Sequence, residues 1–391
     1  MAVFSGPNSV EDGLVMLVDS SNKKSFSPNV FPKGTDIYGW YVDTKGNNTA
    51  NNCNLTRDTI SSPVGNTPLK MSVTANDPHL ASYNSSPWNL ANAASGESWT
   101  ISVYVKASQS TTGELLVFGA GSNSQYLEVP NTTVNITTSW TRVSYTATFS
   151  NASTVFLQMR LDGTNSGGAG IDIWWDGLQI ERGSTATEFT KEYTLDSSLN
   201  ERMLDLSGNE RNAIVNGGPT FTNGYFDITS DSTYISLSNS GLVPRTNDFT
   251  YSTWINFDAT DTVDTIFENG SWADTLLFRY QTSANGVNVF AEGALRGTFS
   301  WTPSAGVWYN VVFKRLSGTC SMYINNTLTG TPFTMTTDIN LANTNLFLMR
   351  SQHTTNQFTN GKIATFSIYN RALSTAEVQQ NFNALRGRFG I

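Results

Sequence analysis

Apolar and polar residues alternate with a period of two along much of this chain, the signature of strands that bury one face. Trp99–Lys106 places Trp99, Ile101, Val103 and Val105 on one side and Thr100, Ser102, Tyr104 and Lys106 on the other. Trp140–Phe149 repeats the pattern, with Val143, Tyr145, Ala147 and Phe149 inward and Arg142, Ser144 and Thr146 outward. In Val155–Leu161 the alternation buries Val155, Leu157, Met159 and Leu161 and turns Phe156, Gln158 and Arg160 outward. Half-buried strands of this kind belong to antiparallel sheets.

The second half predicts strands over Tyr225–Ile228, Phe249–Phe257, Leu276–Tyr280, Val287–Ala291, Trp308–Arg315, Ser321–Ile324, Leu346–Met349 and Ile363–Tyr369. Turn signals such as Asn285-Gly286, Asn325-Asn326 and Asn360-Gly361 separate them at the spacing of a sandwich. One helix is predicted, over Ser374–Leu385. Ser374 suits the N-cap, Glu377 completes a capping box, and Val378, Phe382 and Leu385 form one stripe. At 391 residues the chain outgrows a single core, so two domains are expected.

Composition agrees with an all-β class. Aromatic residues make up 12% and charged residues only 14%, in a background rich in Gly, Asn, Ser and Thr. The formal charge is −8 and Lys and Arg do not cluster, which argues against nucleic acid and against anionic lipid as partners. No apolar run is long enough to span a bilayer, and no basic segment with an apolar core opens the chain. A protein without a secretion signal of its own and without membrane insertion is the expectation. Cys53 and Cys320 are the only cysteines and read as unpaired thiols.

Catalytic groups are hard to find. His79 and His353 are the only histidines, neither in a metal-ligand spacing, and no Gly-x-Ser-x-Gly elbow accompanies them. No strand carries the alternating carboxylates with which a glycosidase flanks the bond it cuts. Asp258–Asp264 is the nearest acidic grouping and reads as a solvated loop. The expectation is a protein that is not an enzyme.

Several stretches resemble known families. Leu204–Phe221, with its Asp-Leu-Ser-Gly-Asn turn at Asp205–Asn209, resembles the opening of a laminin-G-like, concanavalin A-like jelly roll. Phe249–Phe257, Trp308–Lys314 and Met322–Asn326 resemble its middle strands, and Gly361–Val378 its last strand and closing helix. Pro63–Val73, Trp99–Lys106, the Trp140-Thr141-Arg142 strand start and Ile171–Thr187 resemble xylanase-associated carbohydrate-binding modules, also jelly rolls. Asp12–Phe26 resembles the first strand of the laminin-G-like module, which normally runs straight into the turn found here only at Asp205. An insertion is therefore expected: residues 1–27 and 197–391 forming one sandwich, and 28–196 an inserted carbohydrate-binding-module-like sandwich. The alternative is three consecutive units. The predicted fold is two antiparallel jelly-roll β-sandwiches with one short C-terminal helix.

The resemblances also imply function. Gln379–Ile391 resembles endings of virion structural proteins of bacteriophages, and Ile171–Thr187 resembles endings of phage tail proteins. They imply a non-enzymatic protein on the phage particle surface, of tail-fibre or receptor-binding type, contacting host-surface glycan. The alternative is a capsid-decorating or structural virion protein whose sandwiches hold neighbouring subunits. Other virion proteins as partners and a homo-oligomer follow from the same resemblance. The short apolar start, Met1–Val10, is a candidate arm for docking on the particle.

Jelly-roll modules hold sugars by stacking aromatic rings on apolar sugar faces while polar side chains grip hydroxyls. The outward positions Tyr104, Lys106, Arg142, Phe156, Gln158 and Arg160 form the first candidate set, read either as a sugar site or as a packing interface anchored by Phe156. Loop aromatics Trp40, Tyr83, Trp88, Trp272 and Trp301 form a second. Trp99, Trp140, Trp254 and Trp308 lie in or at strand starts and are assigned to core or core edge. Both families often carry a structural Ca²⁺. By that resemblance Asp176 is the candidate metal ligand, and Asp205 and Asn209 are read either as further ligands or as an Asx-type turn.

Overall fold

The structure is a computed structural model that describes residues 9–22, 24–26, 37, 49–65, 67–76, 78–81, 92–93, 96–121, 124–126, 133–149, 155–162, 169–189, 201–238, 242, 245–260, 263–271, 274–341, 345–352 and 357–391. The chain divides into two compact units, Met1–Phe26 with Arg202–Ile391, and Ser27–Glu201. Both are built from antiparallel strands, and among the described residues no helix is long and apolar enough to cross a membrane. Cys53 and Cys320 form no disulfide.

The unit holding the two chain ends is a sandwich of two eight-stranded sheets. One runs Thr220–Thr222, Tyr225–Ile228, Gly361–Tyr369, Phe249–Phe257, Trp308–Leu316, Thr319–Ile324, Thr327–Thr334, with Leu14–Asp19 added beside Gly361–Tyr369. The other runs Arg202–Met203, Ala213–Asn216, Tyr234–Ser238, Asn345–Leu348, Val263–Ser271, Asp274–Gln281, Gly286–Ala291, Ala294–Ser300. Their facing sides share one core, in which Tyr251 stacks on Phe267 at 4.6 Å and Phe278 on Phe313 at 4.9 Å. The helix Thr375–Leu385 covers the far side of the first sheet, its Ser374 cap and Glu377 forming the capping box that the sequence predicts. Trp254 is clamped there between Phe382 and Phe389, with ring centroids 5.7 and 4.2 Å away.

Three expectations fail in this unit. Asp264 lies in the Val263–Ser271 strand and is fully buried, so the acidic grouping is not wholly a solvated loop. That strand escapes the alternation rule because Asp264, Glu268 and Asn269 are buried polar groups at positions where apolar ones would announce a strand. Trp301 packs on the core and against Tyr309, centroids 5.1 Å apart, and is not an open loop aromatic. Val10 is no arm: it is buried, its N–H donates to Asn381 Oδ1 at 2.7 Å and its carbonyl accepts from Tyr369 Oη at 3.1 Å. Residues 1–8 lie outside the described residues.

The unit Ser27–Glu201 pairs a five-stranded sheet with a seven-stranded one. The first is ordered Thr141–Thr148, Ser98–Ala107, Asp172–Arg182, Leu69–Val73, Cys53–Arg57. The second is ordered Thr133–Ile136, Thr111–Gly121, Val155–Asp162, His79–Ala81, Thr49–Asn51, with Asn92–Ala93 and Ser124–Tyr126 added at its strands. Leu69, Met71, Trp99, Ile101, Val103, Ile173 and Trp175 from one sheet meet Leu80, Leu115, Val134 and Ile136 from the other in the core. This topology breaks up the first candidate set. The strand bearing Phe156, Gln158 and Arg160 belongs to the sheet opposite the one bearing Tyr104, Lys106 and Arg142, so the two groups lie in different layers of the sandwich. Alternation gives the face of each strand but not its sheet, because chains in such folds cross the sandwich between strands.

Candidate functional site

The outer face of the five-stranded sheet is built by register. Lys106 stands opposite Trp174, which stands opposite Lys70 on the next strand. One row along, Arg142 faces Tyr104, which faces Asp176. In Ile171–Asp176 the strand turns Ile173 and Trp175 into the core and leaves Trp174 half-buried outside. The face has a covered half and an open half.

The covered half is closed by two segments. The turn at residues 62–65 seats on Asp176: Ser62 Oγ donates to Asp176 Oδ2 at 2.5 Å, and the Gly177 N–H donates to Oδ1 at 2.8 Å. Gly177 holds φ +61 in the bulge of this strand, and a Cβ there would come within 2.8 Å of Val64 and 2.9 Å of Tyr104, so only glycine lets the turn close. The segment 183–189 covers the next rows. Thr187 donates to Glu181 from its N–H at 2.9 Å and its hydroxyl at 2.6 Å, and Thr100 Oγ1 donates to the Gly183 carbonyl at 2.8 Å. Thr100 and Ser102, outward by alternation, are therefore buried. Burial pushes the Glu181 carboxyl up against the pull of its bonds to Thr187 and Gln179.

Asp176, the residue implied as a calcium ligand, does not fit that role. Ca²⁺ takes six to eight oxygens, whereas both Asp176 oxygens accept from a hydroxyl or an amide, and among the described residues no group of three or more His, Cys, Asp or Glu is placed to hold a metal. In the other unit Asp205 accepts from Leu17 N–H, Ser207 N–H, Ser207 Oγ and Arg211 N–H, which is the Asx-turn reading, and Asn209 Nδ2 donates to the Val15 carbonyl at 3.0 Å.

The open half carries two tryptophans with lysines beside them. Lys106 Nζ lies 4.9 Å from the Trp174 ring centroid and 5.7 Å from that of Trp140, and Lys70 Nζ lies 5.6 Å from Trp174. Both indole N–H groups are engaged: Trp174 Nε1 donates to Asp58 Oδ2 at 2.7 Å and Trp140 Nε1 to the Ser61 carbonyl at 3.0 Å. The rings are thereby held in orientation, half-buried, with the lysine ammoniums over them. Lys70 pairs with Asp172 at 2.8 Å, and Ser72 Oγ donates to the same carboxylate at 2.7 Å. The Trp174 bond holds Asp58 below its ordinary value. Burial pulls Asp172 upward, yet the bonds from Lys70 and Ser72 outweigh it and leave Asp172 below its ordinary value. The bond to Asp172 in turn raises Lys70. Beside the row, Arg142 lies 5.8 Å from the Tyr104 ring and donates to Ser102 Oγ at 2.8 Å.

Of the sequence candidates, the structure thus brings Tyr104, Lys106 and Arg142 onto one face. Phe156, Gln158 and Arg160 sit on the opposite sheet, where Gln158 pairs with Phe118 and Arg160 with Leu116 in the backbone register; their side chains lie outside the described residues. Trp40, Tyr83, Trp88 and Trp272 also lie outside the described residues. Trp140, read from the sequence as core or core edge, is a half-buried member of the open face. Trp174 was not singled out, although the alternation of Ile173, Trp174 and Trp175 already turns it outward.

The sequence profile of the concanavalin A-like lectin/glucanases superfamily matches residues 229–379. No curated protein sequence matches the chain. Among solved structures, the receptor binding domain of botulinum neurotoxin C/D mosaic serotype is 16% identical with a TM-score of 0.38, over 46% of this chain and 48% of that one. The botulinum neurotoxin serotype G binding domain is 17% identical with a TM-score of 0.39, over 46% and 48%. The Trypanosoma rangeli sialidase is 12% identical with a TM-score of 0.38, over 48% and 31%. The matched part thus spans about half the length of the neurotoxin structures. Together with the strand order, the profile match identifies residues 229–379 as carrying the concanavalin A-like jelly-roll fold.

Proposed function

We propose that this chain is a non-catalytic carbohydrate-binding protein, and that the open half of the five-stranded sheet is its sugar site. The observation that carries the reading is the pair of half-buried indoles, Trp140 and Trp174, held at fixed orientation by their N–H bonds beside Lys106 and Lys70. Ring faces stack on apolar sugar faces, and the flanking ammonium and carboxylate groups supply the hydroxyl contacts that fix orientation. The Asp58 and Asp172 carboxylates, both held below their ordinary values, suit accepting hydrogen bonds from sugar hydroxyls.

The setting we propose is the surface of a bacteriophage particle, in a tail-fibre or receptor-binding role against host glycan. It rests on the resemblance of Ile171–Thr187 and Gln379–Ile391 to phage structural proteins. The test is adsorption of the purified chain to host cells and to their extracted polysaccharide. Trp174→Ala and Trp140→Ala should each weaken retention about 5- to 150-fold, if stacking on one ring is worth about 1–3 kcal/mol as it is for nucleic-acid bases. Retention unchanged in both variants would place the site elsewhere.

A further inference from the structure

We infer that the ligand of this face is an acidic glycan, one bearing carboxylate or sulfate groups, and that Lys106 is the residue that selects it. The inference rests on the sugar-site reading above and names its substrate class.

The charges on the face are unequal in their freedom. Lys70 is neutralised by Asp172 at 2.8 Å. Asp58 is engaged by the Trp174 indole at 2.7 Å, and Arg142 is bonded to Ser102 at 2.8 Å with its charge acting on the buried Glu181 carboxylate. Lys106 differs: among the described residues its contacts are two indole rings, at 4.9 and 5.7 Å, with no carboxylate in ion-pair reach. An ammonium has three donors and no acceptor. Ring faces use its charge weakly, at about 0.5–1 kcal/mol where exposed, and occupy none of its N–H groups in a full hydrogen bond. A donor-only group between two stacking surfaces matches a sugar that presents an acceptor-only group beside its apolar face. Carboxylate and sulfate are such groups; a neutral hydroxyl is not.

The overall charge sharpens the point. At −8 the chain as a whole repels a polyanion. Preference for an acidic polymer therefore has to come from local pairing, and it should vanish with one residue.

The experiment measures equilibrium binding of the full chain to four polymers: a polyuronate, its carboxyl-reduced neutral counterpart, a sulfated galactan and its desulfated form. Wild type should favour at least one charged polymer over its neutral partner by about ten-fold, the scale of one hydrogen bond to a charged group. The polyuronate pair and the galactan pair separate carboxylate from sulfate as the group recognised. Lys106→Gln and Lys106→Met, checked for an unchanged melting temperature, should lose the preference for the charged polymer over its neutral partner. Equal wild-type affinity within both pairs, or a preference that survives in both Lys106 variants, overturns the inference and leaves the sugar site standing. Wild type that binds none of the four overturns the sugar-site reading and the inference together.

Discussion

The backbone N–H of Leu17 donates to Asp205 Oδ1 at 2.9 Å, across 188 residues of chain. Around this bond the opening strand is knitted to the turn that follows the other unit. Leu206 N–H donates to the Leu17 carbonyl at 2.8 Å, Leu204 N–H to the Ser25 carbonyl at 2.5 Å, and Ser25 Oγ to the Leu204 carbonyl at 2.7 Å. The two places where the chain leaves and re-enters this unit are hydrogen-bonded neighbours. Replacing residues 27–201 by a short Gly/Ser linker should therefore leave a folded sandwich with a cooperative thermal transition, because closing so short a gap costs little. Asp205→Ala in that shortened chain should lower its stability by about 2 kcal/mol, since several N–H donors lose their acceptor. A shortened chain that is unfolded by circular dichroism would show that the units are interdependent.

Asp176 anchors a turn, and that gives a second prediction. Asp176→Ala strands the Ser62 hydroxyl and the Gly177 N–H and opens the covered half of the sheet, at a cost of about 2–3 kcal/mol for a buried, charge-assisted pair of bonds. Chelator should leave wild-type melting unchanged. A wild-type melting temperature that falls with chelator, with no such fall in Asp176→Ala, would instead make Asp176 a metal ligand.

Much of the fold was legible. Phe249–Phe257 and Tyr225–Ile228 have the predicted bounds, and Trp99–Lys106 grows by one residue at each end into Ser98–Ala107. Alternation reports a half-buried strand well. It fails for Val263–Ser271, where Asp264, Glu268 and Asn269 are buried and the partners of Glu268 and Asn269, the Gln352 N–H and Tyr251 Oη, lie far off in sequence where no local pattern encodes them. It fails in another way for the site. Alternation does not say to which sheet the strand Val155–Asp162 belongs, because that depends on pairing with Thr111–Gly121, a long-range choice. Trp140 and Trp174 needed both facts at once: which way each ring points, and that Thr141–Thr148 and Asp172–Arg182 flank Ser98–Ala107 on its two sides.

Glu377 gives a pH-dependent prediction. Two bonds from Arg371, at 3.0 and 2.6 Å, together with the Ser374 N–H at 2.8 Å, hold its carboxyl down at about 2, against an ordinary 4.5. A depressed carboxylate stabilises the fold fully above its unfolded value and loses that contribution as pH falls through the folded one. Glu377→Gln should therefore lower stability by about 1 kcal/mol at neutral pH, the shift being discounted for solvent screening. The difference from wild type should shrink between about pH 4.5 and 2. Parallel denaturation curves at pH 7 and pH 2.5 check this. A gap that stays constant across that range would mean the helix cap does not depend on the carboxylate charge.

The most direct test of the sugar site is a titration of ¹⁵N-labelled protein with host polysaccharide, following the indole Nε1–H resonances. Trp140 and Trp174 report from the open face, while Trp99 and Trp254 report from buried positions. The signals of Trp140 and Trp174 should shift together along one saturable curve, with those of Trp99 and Trp254 unmoved. Saturable binding that leaves both Trp140 and Trp174 in place would contradict the assignment of this face.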